Sequence, residues 1–155
     1  MVQYPGSSTR SLSWRALAAA ASTALLGVVT AAGLHAQSRS VWDGVFTDAQ
    51  AERGEKGFQA QCASCHAAGK GASDATAPAL SGAEFTERWA GQPVGEIFLT
   101  MRTSMPPSAP SSLSREMYVD ILAYLLKVNQ YPAGSAELPP EAAKLGEITV
   151  DPKRQ

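Results

Sequence analysis

The sequence predicts an all-α fold of three to five helices, and three observations predict it. Residues recur at helical spacing in three stretches: Gly54, Phe58 and Cys62; Val94, Ile97, Phe98 and Met101; and Tyr118, Ile121, Leu122, Leu125 and Val128. Each stretch opens on a residue suited to a helix start, Thr47, Pro93 and Ser114 in turn. Between the first and second, from Ala67 to Ala83, the composition turns to Ala, Gly, Ser and Pro, which reads as an irregular loop.

Ahead of the helices, Arg10 and Arg15 form a basic start, and the 19 residues from Ala16 to Leu34 carry no charge. Residues 1–36 therefore read as a secretory signal peptide cut after Ala36, with a cut after Ala32 as the alternative. Kept instead as an anchor, those 19 residues are just long enough to span a bilayer, although their Ala, Gly and Thr make a weak membrane helix. Either route exports the rest of the chain, in a bacterium to the periplasm. Of the 155 residues, 119 remain after Ala36, enough for one small domain. Removing Arg10 and Arg15 from the 13 basic residues leaves 11 against 14 acidic ones. The net charge of −3 and the lack of a basic, aromatic-interleaved stripe exclude nucleic acid as a partner.

Residues 37–46 read as a linker. Thr47, with Gln50 three positions on, has the pattern of a capping box, and the helix it opens should run from Asp48 to about Gln61. A short helix is expected from Glu84 to about Ala90, then Gly91-Gln92-Pro93, where proline suits the first turn of the next helix. Ser114 should cap the last long helix, with Glu116 in its first turn and an end near Asn129, before Tyr131-Pro132. The domain is thus expected over residues 47–131. Residues 132–155 form a tail that either wraps the domain or meets a partner.

The chemistry sits in the run Cys62-Ala63-Ser64-Cys65-His66, two thiols one turn apart with an adjacent imidazole, which is the attachment pattern of c-type haem. Each thiol can form a thioether to one porphyrin vinyl, and the histidine nitrogen then ligates the iron. A thioredoxin-like dithiol would need a βαβ setting, and a zinc site would need more ligands. Cys62 and Cys65 are the only cysteines, and His35 and His66 the only histidines. Covalent attachment of one haem per chain consumes both thiols, so no disulfide is expected in the mature form.

On this motif the chain resembles a monohaem class I cytochrome c, whose fold wraps helices around one covalently held haem. The resemblance implies that Gly54 and Phe58 pack against the C-terminal helix. It implies that the carbonyl of Pro78, in Pro78-Ala79-Leu80, accepts a hydrogen bond from His66, which would orient the ring and strengthen it as a donor to iron. Trp89 either gives its indole N–H to a haem propionate, as in some relatives, or simply packs. A domain of about 85 residues buries limited apolar area, and the haem would act as its staple.

A protein that only shuttles electrons wants both axial positions filled. Without the leader no second histidine remains, and the methionines are Met101, Met105 and Met117. Met101 and Met117 fit the apolar faces of helices. Met105 opens Met105-Pro106-Pro107, where the following proline disfavours helix and leaves a flexible thioether in a loop. Met105 is therefore the expected distal ligand, as in the Met-Pro loop of the family, and Met101 or an open or lysine-ligated iron is the alternative. Histidine with methionine would raise the potential relative to bis-histidine haem.

These residues point to an electron carrier rather than an enzyme, taking electrons from a dehydrogenase and passing them to a terminal oxidase or another cytochrome. The segments Val41-Trp42-Asp43-Gly44-Val45-Phe46-Thr47 and Tyr131-Pro132-Ala133-Gly134 resemble cytochromes associated with quinoprotein dehydrogenases, which implies such a partner or a place as a dedicated subunit. An open-site haem enzyme or gas sensor would need distal acid/base groups, and the chain offers no second histidine for the task.

Overall fold

In the computed structural model residues 39–66 and 77–152 are described; the expected leader and most of the loop after His66 lie outside them. Among the described residues are five helices, α1 (Asp48–Gln61), α2 (Ala83–Trp89), α3 (Val94–Ser104), α4 (Arg115–Val128) and α5 (Ala142–Leu145). Two short strands, β1 (Arg39–Ser40) and β2 (Ile148–Thr149), pair in parallel. No helix among the described residues is long and apolar enough to cross a membrane. The all-α expectation holds, and α1, α2 and α4 fall within a residue of the bounds read from the sequence, while α5 lies inside the expected tail.

The caps explain the bounds. Thr47 accepts from the Gln50 N–H at 3.1 Å and Ser114 from the Met117 N–H at 3.1 Å, each satisfying one of the free donors of a first turn. The second half of the expected capping box is absent. Gln50 turns inward instead, where it donates to the Leu138 carbonyl at 3.1 Å and accepts from the Leu138 N–H at 2.8 Å. A primary amide satisfies both faces of a peptide group in this way, which is why Gln50 is tolerated at 2% exposure.

Helices α1 and α4 cross at Gly54. A Cβ at that position would overlap the carbonyl of Asp120, so only glycine lets the two backbones approach. Phe58 packs on Tyr124 beside the crossing, ring centroids 5.3 Å apart. On the outer side Arg53 forks onto Asp120 at 2.9 and 3.0 Å and onto Glu137 at 3.0 Å, linking α1, α4 and the tail.

Residues 39–46 are not a spacer. Val41, Val45 and Phe46 are fully buried in the main core and Trp42 packs against it, because four apolar side chains in six residues need covering. Ser40 and Asp43 cap a 3-10 turn at Val41–Asp43 reciprocally, and Gly44 follows at φ 66°. The tail returns to this segment. Leu138, Leu145, Ile148 and Val150 are buried, and the N–H of Gly134 donates to the Phe46 carbonyl at 2.7 Å. A Cβ on Gly134 would overlap the Gly44 carbonyl, so a second glycine crossing joins the two segments. The Trp42 ring stands edge-on to Tyr131, centroids 4.8 Å apart, and its indole donates to the Asp151 carbonyl at 3.0 Å. Val150 exchanges backbone hydrogen bonds with the turn before α3, at Gly91 and Gln92. The first and last described segments thus close a collar over the core, and the packed unit extends beyond residues 47–131 at both ends.

Candidate haem site

The end of α1 carries the first half of the site. Cys62 caps the helix, its N–H bonded to the Phe58 carbonyl at 2.8 Å, and the chain turns on with Cys65 and His66 N–H groups both bonded to the Cys62 carbonyl. This continued turn puts Cys62, Cys65 and His66 on the wall of one cavity of about 460 Å³, within the roughly 300–1,000 Å³ usual for ligand sites. Burial, with the Cys65 charge adding, pushes the Cys62 thiol up to about 11. Cys62 is therefore a thiol at neutral pH, unlike the thiolate of a dithiol redox pair, whose acidity is enhanced.

His66 is 8% exposed, and its Nδ1 lies 2.9 Å from the Pro78 carbonyl. A carbonyl only accepts, so Nδ1 carries the proton and Nε2 keeps the lone pair that a metal would need. Pro78 thus stands where the resemblance places it. Its segment is anchored in turn: Asn129 donates to the Leu80 carbonyl at 3.0 Å and accepts from the Gly82 N–H at 2.9 Å.

The second half comes from the end of α3. Met105 caps that helix at φ −123°, ψ 146°, the extended conformation that a following proline favours. It lines the same cavity as Cys62, Cys65 and His66. The Tyr118 hydroxyl donates to its carbonyl at 2.6 Å. Met101 also lines the cavity, whereas Met117, read as a core residue, is 39% exposed in the first turn of α4. Position in that turn explains the difference, since the side chain has α1 on one side only, near Gly57.

Trp89 lines the cavity too, with the Arg88 guanidinium 5.4 Å from its ring centroid. That is a cation–π contact at the cavity wall. Among the described lining residues Arg88 is the one permanent charge, and it went unread in the sequence because a cation in the last turn of a helix normally complements the helix dipole. Tyr118 and Asn129 were also read only as elements of α4; the contacts that give them a place in the site span long stretches of sequence.

The donor set suits haem. Two thiols, an imidazole nitrogen and a thioether share a cavity otherwise walled by Phe58, Leu80, Phe85, Ile97, Ile121 and Leu125, with Arg88 available for an anionic edge. Among the described residues no three His, Cys, Asp or Glu side chains converge as a zinc site requires. Residues 49–125 match the family described as cytochrome c oxidase, cbb3-type, subunit III. No curated protein and no solved structure matches the chain.

Proposed function

We propose that Cys62 and Cys65 hold a haem as thioethers while His66 and Met105 ligate its iron, a reading supported by the match of residues 49–125 to a c-type cytochrome family whose haem serves electron transfer. The observation that carries this reading is that residues 62, 65, 66 and 105, from two separate stretches of chain, line one cavity. Bound there, the haem supplies a one-electron ferrous–ferric couple.

The chain's own residues tune that couple. The Pro78 carbonyl holds the His66 proton at Nδ1, which makes Nε2 the stronger donor and fixes the ring plane. The thioether of Met105, as a ligand, would favour the reduced iron relative to a second imidazole. The largely apolar wall would lower the polarity around the ring and so disfavour the extra charge of the oxidised state. With His66 and Met105 both supplying ligands, the iron's surroundings would change little on electron transfer, which would suit a carrier rather than an enzyme.

The leader expected at residues 1–36, cut after Ala36 or kept as an anchor, supports a reading in which the chain is exported to the periplasm. There the chain would take electrons from a dehydrogenase, with a quinoprotein enzyme as the candidate, and deliver them to an oxidase or another cytochrome. The oxidase subunit in the matched family's description favours a second reading, in which the chain is the fixed cytochrome subunit of an oxidoreductase complex. Visible and near-infrared spectra of the holoprotein in both redox states, with carbon monoxide added to the reduced form, test the site. A low-spin c-type spectrum indifferent to carbon monoxide is expected; a high-spin spectrum with ready binding would mean an open site.

A further inference from the structure

Both segments that carry the proposed ligands or their support are tied to one helix. Near the start of α4, Tyr118 is 1% exposed, and its ring meets Phe98 edge-on with centroids 6.4 Å apart. Its hydroxyl donates to the Met105 carbonyl at 2.6 Å, and the Met105 N–H donates to Met101 at 2.8 Å, so both backbone groups of Met105 are held. At the far end Asn129 caps α4. Its amide nitrogen donates to the Leu80 and Leu125 carbonyls at 3.0 and 2.8 Å, and its oxygen accepts from Gly82 at 2.9 Å. Leu80 stands two residues beyond Pro78, the acceptor for His66.

Eleven residues separate Tyr118 from Asn129, about 16 Å of α-helix at 1.5 Å per residue. A buried helix is stiff over that length, so its two polar side chains hold the Met105 loop and the Pro78 segment at a fixed separation. We propose that Tyr118 and Asn129 are positioning residues, which make α4 a brace that sets the Met105 thioether and the His66 imidazole independently, one from each end. The proposal rests on the ligand assignment above.

The two ends predict separable defects. Tyr118→Phe keeps the ring and its contact with Phe98 but releases the Met105 carbonyl. The fraction of reduced holoprotein that binds carbon monoxide should rise about fivefold, the size of one lost hydrogen bond, and the near-infrared methionine band should weaken. Exchange of the His66 Nδ1 proton with solvent, followed by NMR, should stay as in the parent protein. Asn129→Leu frees the Pro78 segment: that proton should exchange about fivefold faster, and the potential should rise as the imidazole becomes a weaker donor. Its carbon monoxide response should not change. Asn129→Asp, which keeps the acceptor for Gly82 but loses the donors, should fall between and guards against loss of folding.

Wild-type behaviour of Tyr118→Phe, or equal movement of both readouts in both variants, would overturn the brace. A parallel Met105→Ala variant separates the two readings. If it loses the methionine band while Tyr118→Phe remains as the parent protein, the brace alone falls. If Met105→Ala keeps the band, the ligand assignment falls and the brace with it.

Discussion

The cavity and the collar are built by different means. The cavity takes its chemistry from local sequence: Cys62, Cys65 and His66 share one continued turn, and Met105 stands directly before a proline. The collar depends on residues about ninety or more apart, with Gly44 against Gly134, Trp42 against Tyr131 and Asp151, and Gln50 against Leu138. The comparison teaches that the dependence runs one way: damage to the collar should leave the redox chemistry measurable, whereas loss of the haem should take folding with it.

Loss of the staple should have the largest effect. Replacing both Cys62 and Cys65 with alanine should abolish covalent haem and leave a chain that fails to give a cooperative thermal transition, because so small a domain depends on its cofactor for folding. Circular dichroism and haem staining check this; a cooperatively folded, haem-free double variant would count against it.

The glycine crossings sharpen the comparison. Gly54→Ala drives a methyl into the Asp120 carbonyl, and Gly134→Ala drives one into the Gly44 carbonyl. Each should cost about 1–3 kcal/mol. Gly54→Ala should also disturb the haem spectrum, since α1 delivers Cys62, whereas Gly134→Ala should lower the melting temperature with potential and spectrum unchanged. A shifted spectrum in the collar variant would break the distinction.

Next in size is Gln50→Ala, which leaves the Leu138 N–H and carbonyl without partners. A loss of about 2 kcal/mol, read by denaturant unfolding, should come with faster proteolysis of the tail and no change in potential.

The smallest effect belongs to the surface. The Arg53 guanidinium holds the Glu137 carboxyl below the usual carboxylate range, chiefly through their hydrogen bonds. A carboxyl whose folded value is depressed stabilises the fold fully above its unfolded value and loses that contribution as pH falls through the folded one. Arg53→Gln should therefore cost under about 1 kcal/mol at neutral pH, and the difference from the parent protein should shrink in acid. An equal difference at all pH values would refute the assignment.

The same division explains what the sequence reveals. Helix starts at Thr47 and Ser114 are local, since a side-chain oxygen reaches an N–H three residues on, and Gly54 with Phe58 falls on one face by spacing alone. The capping-box reading of Gln50 failed because Leu138, 88 residues away, competes for the same amide. Residues 39–46 read as a linker because their partners lie in the tail, and no local pattern links Gly44 to Gly134. In the cavity, the histidine and methionine are legible from their neighbours. Tyr118 and Asn129 are not, because their partners lie in other loops.

The most direct test of the central claim is the proton NMR spectrum of the reduced holoprotein, with and without Met105→Ala. The account predicts a thioether methyl resonance shifted far upfield by the haem ring current in the parent protein and absent in the variant, with both thioether links intact. The same upfield methyl in both proteins, or its absence from the parent, would contradict the assignment of Met105 to the iron.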